Sequence, residues 1–243
     1  MNGCVVLFGI TRGQASKCQK QFDSLVLQSL QKNSIKYTTY LHAFELNFIN
    51  ASRSQENNIK IKDPKDWQLF KPNFSITECQ DKFDKDTDFN KFIGGRQDAW
   101  RTGHQNTKNL IRQLFSLQKS FSLIKEKYDF YLFSRLDLLY KNNHGLIDSI
   151  KDVVDHPQEN ILYTPSWNCG AGRALNDRIA ICNHNVAEIY ANRINYISTT
   201  LQPKAPIHSE FFLKTVMDNH NIENKKFRFY AARIRANGRI EKN

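Results

Sequence analysis

The chain has 243 residues, of which 40% are hydrophobic and 12% aromatic, enough to bury a sizeable core in one large domain or two small ones. Lys and Arg total 35 against 24 Asp and Glu, and the formal net charge of +11 favours anionic partners such as phosphates, nucleic acid or acidic lipid surfaces. The five cysteines lack the short paired spacings of a zinc site or a disulfide framework, and no run approaches the 18 apolar residues of a membrane span.

The first 44 residues have the pattern of a strand, a helix and a second strand. The run Val5–Phe8 in "CVVLFGITRG" is continuously apolar, as in strands covered on both faces, and it breaks at Gly9 into a polar loop. Apolar residues at helical spacing predict a helix over Ala15–Gln31, and "IKYTTYLHAF" predicts a second strand that ends near His42. This order indicates an α/β fold with a parallel sheet.

The middle of the chain combines a polar insertion with the most regular helix. Residues 46–100 are polar and weakly periodic, and we expect irregular structure there, either a mobile functional loop or a partly ordered excursion. Over Asn106–Lys127 apolar side chains recur every three or four residues, which predicts the longest helix. It leads into "YDFYLFSRLDLLY", a buried strand over Tyr128–Phe133 that is followed by Arg135 and Asp137.

The last third continues the alternation of strands and helices. "ENILYTP" and "DRIAICN" predict short strands, and helices are predicted around Asn185–Tyr196 and over "HSEFFLKTVMDNH". Residues 225–243 form a basic tail with strand character. We predict a single domain over residues 1–243 that includes the insertion at 46–100 and this tail.

Polar residues collect where the predicted strands end. They are Gly9, Thr11, Arg12, His42, Arg135 and Asp137. In open α/β sheets ligands bind beyond the carboxyl ends of parallel strands, so the clustering indicates a binding site, although an ordinary turn explains each glycine taken singly. Neither a Walker loop nor a GxGxxG motif is present, which disfavours conventional P-loop hydrolases and dinucleotide dehydrogenases.

Asp137 is a candidate ligand for a divalent cation. A carboxylate just past a buried strand could hold Mg²⁺ or Mn²⁺ that bridges phosphate oxygens. The alternative is an ion pair between Asp137 and Arg135 that fixes the end of the strand, and both could hold in the unliganded protein. Arg12 offers a guanidinium group suited to a planar or diphosphate anion.

Several segments, taken in order, resemble nucleotide-sugar glycosyltransferases of the GT-A fold. "KYDFYLFSRLDLLY" resembles the family's aromatic-rich strand with its DxD-like element, and "VVLFGITRG" followed by "YTTYLHAF" resembles its opening. "ILYTPSWNCGAGRALNDRIAIC" resembles its "YxP...GxNDRxAI" segment, and "HSEFFLKTVM" resembles the helix that brings an acid to the acceptor side. The resemblance implies a GT-A-like (Rossmann-like), mixed, mainly parallel sheet flanked by helices. Arg135 stands in place of the first Asp of DxD, which gives RxDL.

The resemblance also implies a reaction and roles for individual residues. The reaction is transfer of a sugar from a nucleoside diphosphate sugar donor to a hydroxyl acceptor on a glycan, a lipid or a protein-linked saccharide. The implied donor nucleotide-binding residues are Gly9, Thr11, Arg12, His42, Arg135, Asn176 and Arg178. Asp137 and His208 would hold Mn²⁺ or Mg²⁺. Glu210 would act as general base on the acceptor hydroxyl, with Asp177 as the competing base.

Ordinary local roles stay open for several of these residues. Asn176 and Asp177 equally suit a turn, because Asn and Asp side chains bond to their own backbone. His208 and Glu210 equally suit the start of a helix, where an acid in the first turn interacts favourably with the helix dipole. Trp167 either offers a flat face to a sugar or base or belongs to the core.

Two other functions remain open. A nucleotidyltransferase on a related α/β sheet needs the same metal and diphosphate site. A nucleic-acid-binding protein would use the basic tail and its aromatics, although the sequence has no recognised DNA or RNA motif and we expect no specific nucleic-acid partner. Since no signal-peptide pattern is present, we expect a soluble, cytoplasmic protein whose positive charge leaves room for peripheral contact with a membrane.

Overall fold

In the computed structural model of the chain, residues 1–98, 101–201 and 204–241 are described. Within them the strands are β1 (Asn2–Gly9), β2 (Lys36–Glu45), β3 (Phe48–Ala51), β4 (Glu56–Lys60), β5 (Phe74–Cys79), β6 (Phe130–Arg135), β7 (Leu138–Tyr140), β8 (Ile161–Pro165), β9 (Ile179–Cys182), β10 (Glu223–Phe227) and β11 (Ala231–Arg233). The helices are α1 (Ala15–Phe22), α2 (Gln28–Lys32), α3 (Gln80–Asp86), α4 (Phe89–Ile93), α5 (Gln105–Ser122), α6 (Leu146–Asp155), α7 (His184–Ala191), α8 (Ile197–Thr200) and α9 (Ser209–Asn219).

The centre of the fold is a seven-stranded sheet with the order β10-β8-β9-β6-β1-β2-β5. All neighbouring strands in this sheet are parallel except that β9 runs antiparallel to both β6 and β8. Two small antiparallel sheets pair β7 with β11 and β3 with β4. The prediction of a mixed, mainly parallel sheet flanked by helices is therefore confirmed.

Helices cover both faces of the central sheet. Because successive side chains of a strand point to opposite faces, Val6 of β1 packs with Leu114 of α5, whereas Val5 packs in a second core with Phe22 of α1. All four side chains are at most 1% exposed. This two-sided burial explains why the first strand is continuously apolar.

The expectation of irregular structure over residues 46–100 is wrong for the described part, 46–98, while residues 99–100 lie outside the described residues. The segment forms the β3–β4 hairpin, helices α3 and α4, and the edge strand β5, which joins the central sheet parallel to β2. Phe74 and Ile76 of β5 are 53% and 38% exposed. An edge strand that buries so little gives a weak hydrophobic pattern, which is why the sequence does not reveal it.

Other elements differ from the predictions mainly at their ends. Helix α5 stops at Ser122, before Lys127, and strand β6 begins at Phe130 and includes Arg135 as its last residue. The predicted basic tail belongs to the fold, because β10 pairs with β8 and β11 pairs with β7. The last two residues of the tail, 242–243, lie outside the described residues. Within the described part of the chain, no helix has both the length and the apolar character needed to cross a membrane.

Candidate functional site

A cleft of about 640 Å³ opens where β1 and β6 end. Gly9 of β1 and Arg135 of β6 line it. Asp177 and Arg178 line it as well, because β9 runs antiparallel and the residues before its first position reach the same edge of the sheet. The backbone N–H of Arg135 donates to the carbonyl oxygen of Arg178 at 3.1 Å, which fixes the two side chains side by side. The cleft therefore occupies the usual ligand position of an open α/β sheet.

The loop after β1 needs an unusual backbone to bring Arg12 into this cleft. Gly9 has a φ of +106°, which L side chains rarely adopt, although a Cβ atom there would meet nothing within 4 Å. Glycine is therefore required at this position by the backbone and not by space. Arg12 itself has a φ of 57°, and its side chain is largely buried against two acids.

Asp137 neutralises two arginines and is 1% exposed. Its Oδ1 accepts from Arg135 Nε at 2.9 Å, and its Oδ2 accepts from Arg135 Nη2 at 2.7 Å and from Arg12 Nε at 2.9 Å. Burial opposes ionisation of Asp137, but the positive charges of Arg135 and Arg12 outweigh it and hold the pKa of the carboxyl well below its usual range. The ion pair that the sequence left open is thus formed. Asp137 holds both arginines in place by its hydrogen bonds.

Glu56 is a second buried acid that contacts Arg12, and sequence reasoning missed it. It is 0% exposed, and its two oxygens accept from Arg12 Nη1 at 2.9 and 2.8 Å. It also accepts from the backbone N–H of Ala236 at 2.8 Å and pairs with Arg235 Nη1 at 3.3 Å. Glu56 lies among polar residues of β4, so no local pattern could have marked it as buried.

The C-terminal segment adds two arginines of the predicted basic tail, Arg233 and Arg235. Pairing of β11 with β7 places Arg233 opposite Leu138, and both arginines line the cleft. Arg233 Nη2 lies 2.7 Å from Glu241 Oε2, and Arg235 Nε donates to Glu241 Oε1 at 2.8 Å. In the sequence, the two arginines are two positions apart in a segment of strand character, and this spacing places both side chains on one face of a strand.

The positive side chains meet in what we call the arginine cluster, which consists of Arg12, Arg135, Arg178, Arg233 and Arg235. Its members repel one another. Burial, together with the positive charges of Arg178 and Arg135, lowers the pKa of Arg233. An anion bound between these groups would relieve the repulsion, so the cluster is suited to phosphate groups.

Asp177 is linked to the arginine cluster through hydrogen bonds to Gln113 of α5. Gln113 donates from Nε2 to Asp177 Oδ2 at 3.0 Å and accepts on Oε1 from Arg135 Nη1 at 2.9 Å. Asp177 is 3% exposed, and its Oδ1 lies 3.5 Å from Arg178 Nη1 without a hydrogen-bond partner among the described residues. Buried carboxylate oxygens normally accept hydrogen bonds, so this atom is a candidate acceptor for a ligand hydroxyl.

Glu210 lies in the first turn of α9 and is fully engaged. Its Oε1 accepts from Arg178 Nη2 at 3.2 Å, and its Oε2 accepts from Ser209 Oγ at 2.6 Å and lies 3.1 Å from His208 Nδ1. Burial opposes ionisation, but the contact with His208 and the charge of Arg178 outweigh it and lower the pKa of Glu210. A carboxylate with a lowered pKa is a weak base, which makes Glu210 poorly suited to remove a proton.

Thr11 and His42 do not line the described walls of the cleft. Thr11 donates its hydroxyl to Asp66, which also accepts from the backbone at the start of α1. His42 is 0% exposed, and its Nδ1 lies 2.7 Å from Ser116 Oγ. Burial, helped by the positive charge of Lys119, lowers the pKa of His42 to about 3, so this imidazole is neutral at physiological pH.

Asn176 and Trp167 lie behind Arg178. Asn176 is 0% exposed; its Nδ2 donates to the Trp167 carbonyl at 2.9 Å, and its Oδ1 accepts from the backbone N–H of Arg178 at 3.0 Å. Trp167 is 7% exposed, donates from Nε1 to the Phe229 carbonyl at 2.7 Å, and has its ring centroid 5.6 Å from Cζ of Arg178. Of the roles that the sequence left open, Asn176 therefore has the local turn and Trp167 has the core position.

The residues predicted to hold a divalent cation do not fit one as they are placed. Both oxygens of Asp137 accept from guanidinium groups, and His208 lies against Glu210. Across residues 1–98, 101–201 and 204–241, no group of three or more His, Cys, Asp and Glu side chains is arranged to hold a metal ion. Mn²⁺ or Mg²⁺ binding stays a prediction without a preformed ligand set in that part of the chain.

Comparison with known proteins gives only distant structural likeness. No protein-family model and no curated protein matches the sequence. Apo mouse xyloside xylosyltransferase 1 has 10% identity and a TM-score of 0.48, covering 93% of this chain and 85% of that chain. The galactosyltransferase LgtC with donor and acceptor sugar analogues has 11% identity and a TM-score of 0.36, covering 89% and 70%. A Bacillus anthracis protein provisionally named glucose-1-phosphate thymidylyltransferase has 8% identity and a TM-score of 0.36, covering 96% and 89%. Likeness at this level assigns no family.

Proposed function

We propose that this chain is a glycosyltransferase that moves a sugar from a nucleoside diphosphate sugar to a hydroxyl acceptor, such as a glycan, a lipid or a protein-linked saccharide. The main support is one observation: the arginine cluster and the carboxylates Asp177 and Glu210 line the same cleft at the carboxyl ends of β1 and β6. The resemblance of the chain's ordered motifs to GT-A enzymes points to the same reaction.

The arginine cluster would stabilise the departing diphosphate. Negative charge grows on that group as the bond to the anomeric carbon breaks, and guanidinium groups already fixed in place stabilise it without reorganisation. Asp137 holds Arg12 and Arg135 through hydrogen bonds of 2.7 to 2.9 Å, so their positions are set before any ligand arrives. The same two arginines would orient the donor.

Asp177 is the residue we propose as general base. It would remove the proton of the acceptor hydroxyl as that oxygen attacks the anomeric carbon. Its Oδ1 has no hydrogen-bond donor among the described residues, whereas both oxygens of Glu210 have close partners. Glu210 would then hold Arg178 in place by their contact of 3.2 Å.

One part of the cleft wall is suited to a polyhydroxylated substrate. Side chains from α3, α5 and the segment before α5 supply amides, a hydroxyl and a carboxylate to its wall. They are Gln80, Asp81, Thr102, Gln105, Asn106 and Asn109. Such groups can pair with sugar hydroxyls as donors and acceptors.

The alternative of a nucleic-acid-binding protein depended on the basic side chains of the tail, and these side chains make contacts within the fold. Lys225 pairs with Asp152 at 3.0 Å, and Lys226 donates to Thr164 Oγ1 at 2.9 Å. Arg233 and Arg235 contribute to the cleft, so these basic side chains already have intramolecular roles. Peripheral contact with a membrane stays a prediction.

A thermal-shift panel tests the proposed function. Wild-type protein is heated with each of a set of nucleoside diphosphate sugars and, separately, with nucleoside triphosphates. Because a ligand that binds only the folded state raises its stability, at least one nucleoside diphosphate sugar should raise the Tm. Stabilisation by triphosphates alone would contradict the proposal and favour the nucleotidyltransferase alternative.

A further inference from the structure

We infer that the cleft binds the diphosphate of its donor without a metal ion, and that Arg135 and Arg12, fixed by Asp137, supply the positive charge that a divalent cation would otherwise provide. The inference deepens the proposed function and rests on it. It concerns the RxDL segment, where the resemblance implied a metal and the structure places an arginine pair.

Guanidinium groups take three of the roughly four acceptor positions of the Asp137 carboxylate. Arg135 approaches with two parallel N–H groups, Nε to Oδ1 at 2.9 Å and Nη2 to Oδ2 at 2.7 Å, and Arg12 Nε adds a third contact at 2.9 Å. A metal ion could bind both oxygens of Asp137 only if an arginine left. A guanidinium deprived of its carboxylate while still buried is strongly unfavourable.

Charge around Arg233 disfavours a further cation as well, whereas at Arg135 the charges of Asp137 and Asp177 outweigh burial and raise the pKa of the guanidinium. Arg12 and Arg135 have side chains that are 10% and 11% exposed, so their charges are weakly screened by water. Nearby Arg233 already has its pKa lowered by burial and by the charges of Arg178 and Arg135. A divalent cation would add to this repulsion, whereas a diphosphate would remove it.

The two arginines retain donors for such an anion. A guanidinium group has five N–H donors, and among the described residues Arg135 uses three of them, two on Asp137 and one on Gln113 at 2.9 Å. Contacts of Arg12 to described residues involve Nε and Nη1. The outer N–H groups of both side chains are suited to phosphate oxygens because guanidinium binds them in pairs.

Equilibrium binding of inorganic pyrophosphate tests the inference on the wild-type chain. Calorimetric titrations are run with EDTA and with Mn²⁺, and sulfate at equal ionic strength serves as the control for nonspecific charge attraction. We expect pyrophosphate to bind in EDTA, more tightly than sulfate, and we expect Mn²⁺ not to lower the Kd. Binding that requires Mn²⁺ overturns the inference and leaves the proposed function standing.

A matched pair of variants tests the role of Arg135. Arg135→Lys keeps the charge and loses the paired N–H groups, so pyrophosphate affinity in EDTA should fall about tenfold, the loss expected for one hydrogen bond to a charged group. Arg96→Lys is the control, because Arg96 does not line the cleft and likewise uses two guanidinium nitrogens, with Nη1 donating to the Phe92 carbonyl at 3.2 Å and Nη2 to the Leu201 carbonyl at 3.3 Å. Its affinity should stay at the wild-type value.

The other outcomes of these experiments also test the inference. Equal losses in Arg135→Lys and Arg96→Lys overturn the assignment to Arg135. If pyrophosphate binds in neither buffer, the inference is overturned, and the proposed function then depends on the thermal-shift panel of nucleoside diphosphate sugars alone. The comparison of EDTA with Mn²⁺ needs no variant, so a folding defect in Arg135→Lys does not weaken the test.

Discussion

Asp137 is the residue whose loss should cost the fold most among the carboxylates of the cleft. Asp137→Asn keeps the shape of the side chain but leaves Arg135 buried without its counter-charge. We expect the free energy of unfolding, measured in urea, to fall by about 3–5 kcal/mol. Asp84→Asn is the control: its pairing with Arg112 has similar geometry, but Asp84 is 26% exposed, so the loss should be about 0–1 kcal/mol. Similar losses in both variants would contradict this account of Asp137.

Activity measurements should distinguish the two candidate bases, Asp177 and Glu210. Asp177→Asn removes the proposed base and should lower turnover by a factor of about 10²–10⁴, the usual contribution of such a group, with little change in donor affinity. Glu210→Gln should lower turnover less, because Glu210 serves to position Arg178. The reverse ranking would restore Glu210 as the base that the sequence favoured.

Stability should depend on pH through the acids of the cleft. The pKa values of Asp137 and Glu210 are lowered in the folded chain by nearby positive groups that outweigh burial. Such carboxyls stabilise the fold above their unfolded pKa of about 4, and this stabilisation is lost as the pH falls below about 5 toward the folded pKa. The wild-type Tm should therefore drop over this acid range. The Tm of Asp137→Asn should drop less, and parallel curves would show that Asp137 is not the cause.

At the scale of elements, Glu56 joins the β3–β4 hairpin to the end of the chain. It accepts from Arg12 on the loop after β1 and from the backbone of Ala236 after β11. In Glu56→Gln we expect faster amide hydrogen exchange in residues 10–14, 48–60 and 231–241, with α5 unchanged, because those three segments lose a charged contact and α5 does not. Glu78→Gln on the edge strand β5 is the control, and equally fast exchange there would argue against a specific role for Glu56.

The same scale shows which elements a sequence can reveal. Strands β1 and β6 are buried on both faces, so their apolar runs were recognised, and α5 was recognised from its period. Strand β5 lies at the edge of the sheet with exposed Phe74, and β4 carries a buried acid in a polar run. Neither pattern departs from that of a loop, so both elements were missed.

For the whole molecule, what the sequence could not predict is the assembly of distant segments. Arg12 and Arg135 were predicted as site residues because each lies beside the end of a strand, and Asp177 was predicted from the resemblance to GT-A enzymes. Arg235 reaches Glu56 across 179 positions, and no local signal marks such a pair. Thr11 and His42 were placed at strand ends by the same logic, yet their side chains turn away from the described cleft, since a strand end fixes a position but not a side-chain direction.

The central claim concerns the whole molecule: the cleft cleaves a nucleoside diphosphate sugar and passes the sugar to a hydroxyl group. The most direct measurement incubates wild-type protein with each nucleoside diphosphate sugar and a mixture of saccharide acceptors, and follows both the nucleoside diphosphate released and the mass gained by an acceptor. We predict release and matching mass gain with at least one donor, and a loss of both in Arg135→Lys. A folded wild-type protein that releases nucleoside diphosphate from none of the donors would contradict the claim.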